Sequence, residues 1–417
     1  MRKSRRVVIT GLGVVAPNGI GKDAFWDALV AGKSGIDYIT AFDPAPYPCH
    51  VAGEVKGFRP ADFMSARPAQ HAGRFAHLAI AAARLALDDS KLRLTDEVPD
   101  RVLTCVGNAM NGSGDVYETA RIAFEKSGVS GIPQLSGVEF AAHAAVGHVS
   151  KELGLRGQGM TISSACSTGL DVMQWASAQI RENRADVVIA GSTEAPISEF
   201  CFATLCAFGS ISTFNDPALR ASRPFDQRRS GLVLGEGAGI CVLEEMDHAL
   251  DRQARIYAEV SGFGSGSEGS KGSKMSVRCG ALSEAIRGAL STAGLSPSEV
   301  DYVNAHGNAM QDYDRVDTEA FRAVFGPGIY GVPVSSIKSM VGHAMGAAAA
   351  LQVVATCLTI ANSVIPPTIN YEFRDPDCDL DYVPNEARPS RIRTALVNAH
   401  AIGGTYSALV LSAPQHP

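Results

Sequence analysis

Apolar residues recur along this chain in two alternating rhythms, and both rhythms occur twice. Val7–Gly13 is a short apolar run that reads as a buried strand. Ala79–Leu87 has the Ala/Leu spacing of a helix; a polar turn follows, then the strand-like Val102-Leu103-Thr104-Cys105-Val106. The same succession returns later. Ala258–Gly264 reads as an opening strand, Ala281–Ala293 as a helix and Val300–Val303 as a strand. Each helix–strand unit leads into Gly-Asn-Ala-Met, at Gly107–Met110 and again at Gly307–Met310. The matched positions predict an internal duplication, with halves at 1–255 and 256–417. Strands alternating with helices imply an α/β fold whose crossovers cover both sheet faces. Ala347–Ile365 is the most apolar stretch. Gln352, Thr356, Thr359 and Asn362 interrupt it, which predicts a buried core helix and not a membrane span. Gly264–Lys274, rich in Gly, Ser and Lys, reads as a surface loop near a site entrance.

Composition narrows the class. A chain of 417 residues, 46% hydrophobic and 19% charged, fits an ordinary globular protein. The net charge of −6 argues against a general nucleic-acid binder but leaves room for a local basic patch facing an acidic partner. Nine cysteines occur with no C-x-x-C pair or zinc spacing, which fits reduced thiols in the cytoplasm and no metal. The basic Met1–Arg6 precedes an apolar run too short and too broken by Gly11 and Gly13 for a signal peptide.

Three residues carry candidate chemistry. Cys166 lies in Ile162-Ser163-Ser164-Ala165-Cys166-Ser167-Thr168-Gly169-Leu170, read as a short strand, a small-residue turn and a helix. A thiol at a helix N-terminus is drawn toward thiolate, and the free N–H groups there can hold an oxyanion. A lone cysteine is more often a buried structural residue. Two histidines shift that balance: His306 in Asp301–Gly307 and His343 in Ser335–Gly346, both at strand ends beside glycines. His343 and Cys166 occupy equivalent strand-to-helix turns under the duplication, so a pseudo-twofold axis would bring them to one site.

The Cys…His…His order resembles the β-ketoacyl-acyl-carrier-protein synthases. The likeness extends through Val7–Gly13, Ala190-Gly191-Ser192-Thr193-Glu194-Ala195 and Ser222-Arg223-Pro224-Phe225-Asp226. It continues in Gly235–Gly239 and Gly403-Gly404-Thr405. The resemblance implies a thiolase-like fold of two repeated halves in five α-β-α-β-α layers. It implies Cys166 as acyl acceptor, an oxyanion hole from the N–H groups of Cys166 and Ile402, and His306 and His343 as donors to a malonyl enolate. Lys338 corresponds to the family lysine that pairs with an acid, here Asp317 where Glu is common. Asp314 matches a family Asp in the same loop, although a helix N-terminal acid is nearly as good a reading.

Departures from the family pattern point to a specialised member. His306-Gly307-Asn308-Ala309-Met310 replaces His-Gly-Thr-x-Thr, so Asn308 retains a polar contact for the pantetheine arm while Met310 has no hydroxyl. Ala401-Ile402-Gly403-Gly404 replaces a Phe-gated loop, Leu205 stands at a second aromatic gate, and Gln352 stands where Glu is general. The resemblance therefore implies decarboxylative condensation of an acyl-enzyme with a malonyl carrier in polyketide biosynthesis. No cofactor of its own is implied, since the phosphopantetheine belongs to the acyl carrier protein. It also implies a dimer, with a heterodimer to a chain-length-factor-like homologue preferred. The alternatives are a fatty-acid elongating synthase, a non-catalytic partner (which would lack Cys166) and a thiolase. A thiolase needs a second cysteine, and Cys378 has no Gly-rich context.

Overall fold

The computed structural model describes residues 5–269 and 278–414. Ten strands form the body: β1 (Val7–Ala16), β2 (Val102–Gly107), β3 (Gly159–Met160), β4 (Val187–Glu194) and β5 (Gly237–Glu245), then β6 (Ala258–Ser267), β7 (Tyr302–Asn304), β8 (Val334–Ser335), β9 (Thr394–Ala401) and β10 (Thr405–Ser412). The first five lie in the order 3-2-4-5-1 and the second five in the order 8-7-9-10-6, which is the same order. In each array the first three strands are parallel and the last two pairings antiparallel. β1 and β6 meet through Val8↔Glu259 and Ile9↔Ala258, so the arrays are hydrogen-bonded into one twisted sheet.

The duplication reaches individual residues. β1 bulges between Ile9 and Gly11, and the register of β6 against β10 shifts at the corresponding place, between the partners of Val410 and Leu411. Thr10 at the first bulge hydrogen-bonds Glu244, while Ser261 at the second donates to Ser412 at 2.7 Å. A Cβ on Gly13 would lie 1.8 Å from the Ala82 carbonyl oxygen, and one on Gly264 would lie 2.1 Å from that of Ala285. In both halves a helix therefore sits directly on a strand backbone. The register also corrects one expectation. Ile189 pairs with Val242 and Thr104, while Leu396 pairs with Val410 and Val303. Thr104 thus corresponds to Val303, which sets Gly107 opposite His306. The two Gly-Asn-Ala-Met runs are offset by one residue.

Helices Arg74–Ser90 and Cys279–Ala293 cover the outer faces of the two arrays. Between the arrays lie Thr168–Arg181 and Ala348–Asn362, whose apolar side chains share one core with β1, β4 and β9. Five layers result. The central helices touch closely enough that a Cβ on Gly169 would meet the Ala350 nitrogen at 2.3 Å. The interrupted apolar stretch is indeed a core helix, buried from Ala348 to Ile360. Its threonines satisfy themselves locally, Thr356 donating to the Gln352 carbonyl at 2.7 Å and Thr359 to that of Ala355 at 2.9 Å. Among the described residues Met345–Asn362 is the one stretch long and apolar enough to cross a membrane, and it lies almost entirely inside the protein.

Two local expectations change. Gly264–Ser267 is not loop but the end of β6, paired with β10 from Ala408 to Thr405. Small residues are required there because the Cys279–Ala293 helix packs on them, and that composition mimics a flexible segment. Residues 270–274 of the same stretch lie outside the described residues. The strand before Cys166 is Gly159–Met160, ending ahead of Ile162.

Candidate active site

Parallel strands of both arrays end at one place, and the chemistry-bearing residues follow those ends. Cys166 comes after β3, His343 after β8 and His306 after β7, while β9 ends at Ala401 just before Ile402. Open α/β sheets bind ligands at such carboxyl ends.

Cys166 occupies a turn of one 3₁₀ step, Ala165–Ser167, leading into the Thr168–Arg181 helix. Ala165 adopts φ 52°, a left-handed conformation that costs energy for a residue with a Cβ. Surrounding bonds hold it. The Thr168 hydroxyl accepts from the Ser164 N–H at 2.9 Å and donates to the Ala165 carbonyl at 2.7 Å. Asp171 accepts from Ser407 Oγ at 2.6 Å and from Ser164 Oγ. Cys166 is buried at 2% exposure. Burial pushes its thiol up to about 11, against the pull of the Ile402 N–H, the Lys338 charge and its own N–H. The thiolate expected at this helix end is therefore not the resting form, because desolvation outweighs the helix terminus. The N–H groups of Ile402 and Cys166 lie beside the sulfur, next to where the oxygen of an acyl group on that sulfur would sit.

His306 is pinned on every side. Its N–H donates to Asn398 Oδ1 at 3.2 Å, its carbonyl accepts from Lys338 Nζ at 2.6 Å, and the next N–H, of Gly307, donates to Asp317 Oδ2 at 2.8 Å. His343 donates its N–H to the Val233 carbonyl at 2.7 Å and accepts from Gly235 at 3.0 Å. The two imidazoles stand edge to face with centroids 5.3 Å apart. Among the described residues neither ring nitrogen of His306, nor Nδ1 of His343, has a hydrogen-bond partner. Burial, then His400, Lys338 and His343, hold His306 well below the usual histidine range. Burial, Lys338 and His400 do the same to His343. Both rings are neutral at neutral pH, and each then keeps one N–H to donate.

Lys338 and Asp317 do not pair as expected. Lys338 Nζ donates to Gln352 Oε1 at 2.9 Å in addition to the His306 carbonyl. Asp317, one methylene shorter than Glu, stays across the loop and spends its oxygens on Gly307 N–H and, at 2.7 Å, on Asn398 Nδ2. Gln352 is suited to its place because an amide both accepts and donates. Its Nε2 reaches the carbonyls of Ala305 at 2.9 Å and Asn304 at 3.2 Å. A carboxylate would accept from Lys338 but could not donate to those carbonyls. With a neutral amide as partner, burial lowers Lys338 to about 8, with Asp317, Cys166 and Asp314 acting against it.

Asp314 is more than a helix N-terminal acid. Its buried carboxylate accepts from the N–H groups of Phe225 at 2.7 Å, Asn308 at 3.0 Å and Ala309 at 3.2 Å, with Arg229 Nε at 3.4 Å. Burial pushes it up to about 6. Asn308 turns its Oδ1 back onto the Met310 N–H at 3.0 Å, so that oxygen serves the loop and is not free for a pantetheine arm. Met310 packs beside the apolar cluster of Cys166, Leu205, Phe202, Met345 and Ala401. It also lines a cavity of about 450 Å³ with Phe208, Arg229 and Tyr313. Ile402 is half-buried, followed by Gly403 and Gly404 at φ 109° and 79°. Cys378 packs in a separate core with Leu380 and Tyr382, away from Cys166.

Sequence reasoning missed Glu194 and His400. Glu194, at the end of β4, accepts from Ala109, Met110 and Gly346 N–H groups at 2.8, 3.1 and 3.1 Å. Burial pushes it up to about 7, although the three N–H groups pull it down. His400, fully buried, lies with its ring centroid 4.2 Å from that of His306. Its signal was available: a histidine near the end of a strand, just ahead of a Gly-Gly turn, as His306 lies beside Gly307.

Comparisons with known proteins agree with this geometry. The family described as Beta-ketoacyl synthase, N-terminal domain matches residues 4–249, and Beta-ketoacyl synthase, C-terminal domain matches residues 257–372. The tetracenomycin polyketide synthase ketoacyl synthase alpha subunit of Streptomyces glaucescens is 41% identical over 417 residues, covering 99% of this chain and 98% of that protein. The 3-oxoacyl-[acyl-carrier-protein] synthase 2 of Coxiella burnetii is 40% identical over 410 residues, covering 98% and 99%. Among solved structures, a type II PKS acyl-carrier protein in complex with its ketosynthase bound to the hexaketide matches with TM-score 0.91 and 34% identity, covering 99% of this chain and 100% of that one. The ishigamide ketosynthase/chain length factor matches with TM-score 0.92 and 32% identity over the same shares. With a cysteine, an oxyanion hole and two neutral histidines at one sheet end, this chain belongs to the β-ketoacyl synthase family.

Proposed function

We propose that this chain is the catalytic ketosynthase subunit of a polyketide-forming system, elongating an acyl chain with malonyl units from an acyl carrier protein. The observation that carries this is the convergence on one site of a buried thiol beside two N–H groups and two neutral imidazoles set edge to face, the His306 ring having no hydrogen-bond partner among the described residues. In the first step the Cys166 sulfur attacks the carrier thioester. The carbon–sulfur bond to the carrier breaks, and the carrier thiol leaves with the proton that Cys166 gives up. The Ile402 and Cys166 N–H groups hold the oxyanion. In the second step malonyl carrier loses carbon dioxide, and the electron pair of the broken bond becomes an enolate. His306 and His343 donate to its oxygen. The enolate carbon then attacks the acyl-cysteine, the bond between the acyl carbon and the Cys166 sulfur breaks, and the released sulfur takes up a proton from water, the one proton the overall condensation consumes. Lys338, Gln352, Asp317 and Asp314 hold the His306 loop. Leu205, Met310, Ile402, Gly403 and Gly404 shape the entry for the acyl chain and its pantetheine arm, with the Asn308 side chain bracing that loop.

The reading divides the chain into a nucleophile-bearing half, 1–255, and a histidine-bearing half, 256–417, which the repeated strand order supports. It includes a cytoplasmic location and a dimer, preferably with a chain-length-factor-like homologue. The similarity to polyketide subunits and to the ishigamide pair supports this. A fatty-acid elongating synthase is the second reading, favoured by the 40% identity to the Coxiella synthase.

Intact-mass analysis with acyl carriers, alongside carbon dioxide release from malonyl carrier, tests the assignment. Wild type acquires an acyl adduct on Cys166, and Cys166→Ala loses both adduct and condensation while keeping its fold. His306→Ala and His343→Ala still load, but their decarboxylation falls about a hundredfold, as for loss of one oxyanion donor. An adduct on another cysteine with Cys166 unmodified would overturn the reading, as would histidine variants that fail to load yet decarboxylate normally.

A further inference from the structure

His400 is a buried imidazole that the two-step scheme does not use. It is 0% exposed, and among the described residues neither of its ring nitrogens makes a well-aligned hydrogen bond. Unmet buried polar atoms of this kind call for an explanation, since most buried polar groups are bonded. Its surroundings are specific. Tyr313 stacks on it at 4.8 Å with 16° between planes, and Tyr406 does so at 5.8 Å on a similar plane. Nε2 lies 3.1 Å from Asp317 Oδ1. His306 leans against it at 4.2 Å and 52°.

Asp317 links these contacts. One oxygen holds the N–H of Gly307, next to His306; the other holds Asn398, whose own amide oxygen accepts the His306 N–H. The same carboxylate therefore fixes the backbone on both sides of His306 and borders the ring packed against the His306 imidazole. Catalytic hydrogen bonds are often poorly aligned in an empty site and tighten when substrate is bound.

We propose that His400, with Asp317, is a positioning residue for His306: the imidazole–carboxylate contact sets the orientation of the His306 ring for decarboxylation, making His400 the third histidine of the site. This rests on the ketosynthase reading above. The titratable and charged groups facing His400 are Asp317, His306, His343, Tyr313 and Tyr406, with Lys338 beyond the two histidines. His400 is among the groups that hold His306 low. With the ring removed, that opposing contribution is lost and His306 gains affinity for a proton. The acid limb of the decarboxylation profile then moves to higher pH.

The experiment measures acyl loading of Cys166 and carbon dioxide release from malonyl carrier across pH for wild type, His400→Phe and His400→Gln. His400→Phe is expected to load within about threefold of wild type but to decarboxylate about tenfold or more slowly, the scale on which outer partners of working histidines act. Its acid limb moves up. His400→Gln offers an amide donor to Asp317 but lacks the imidazole that holds His306 low, so it recovers most of the rate and keeps the displaced limb. A folded His400→Phe with wild-type rate and limb overturns the proposal, as does an equal loss of loading and decarboxylation. If the Phe variant does not fold, the Gln variant decides, and an unmoved limb overturns it. Wild-type protein that neither loads nor decarboxylates would instead bring down the ketosynthase reading, so the two failures are distinct.

Discussion

Ile402 carries two functions on one residue. Its N–H faces the Cys166 sulfur, and its side chain is half-buried beside the entry, ahead of two glycines with positive φ. Backbone and side chain can therefore be separated experimentally. Replacing the side chain leaves the N–H in place, whereas an aromatic ring adds area and a flat face at the pocket mouth. Ile402→Phe is expected to change the ratio of condensation rates on short and long acyl carriers by about tenfold, the range over which small pocket changes discriminate substrates. Thermal unfolding should change little. An unchanged ratio would remove Ile402 as a determinant of acyl preference.

At the scale of elements, the strand–helix contacts of the two halves should respond alike. Gly13 lies against Ala82 and Gly264 against Ala285, with no space for a methyl group. Gly13→Ala and Gly264→Ala should each cost about 3 kcal/mol or abolish folding, because backbone, not a movable side chain, meets the added carbon. Denaturant unfolding of both variants checks this. Tolerance of either would contradict the close approach.

A second element-scale prediction concerns the Met246–Asp251 helix, tied to β5 through His248. His248 Nδ1 lies 2.8 Å from Glu244 and Nε2 3.0 Å from Glu97. The Glu244 hydrogen bond, against burial and with Glu97 assisting, raises His248 to about 9. A raised folded value means stability fully present below the unfolded pKa of about 6.5 and lost as pH rises through about 9. His248→Gln should therefore destabilise the protein by on the order of 2 kcal/mol near pH 6 and by much less near pH 9.5. Equal losses at both pH values would show that the contact is not ionic.

For the whole molecule the question is assembly. Ile122, Phe124, Val129 and Val138 are 55%, 52%, 78% and 53% exposed in the segment that follows β2. Large apolar groups so placed mark an interaction surface or an aggregation risk. If the chain pairs with a catalytically silent homologue, co-expression should raise soluble yield and condensation, and light scattering should report a dimer. A stable, fully active monomer would refute both the homodimer and the heterodimer.

The sequence by itself determined the features that depend on local chain geometry. Gly307 beside His306 marks a turn just past a strand end, and the repeated helix–strand rhythm gives the two halves, whereas a short helix, Lys338–Val341, separates His343 from its strand and the strand before Cys166 ends at Met160. The tertiary structure decided what depends on distant neighbours. Gln352, not Asp317, meets Lys338, because side-chain reach across a packed core selects the partner. The offset of the two Gly-Asn-Ala-Met runs follows from strand register, which only cross-strand pairing fixes. The protonation of Cys166 reflects a balance of burial against nearby N–H groups and charges, and burial is a property of the whole packed site. His400 lies in an ordinary-looking strand end. It became a candidate only when folding placed Asp317 and the His306 ring against it.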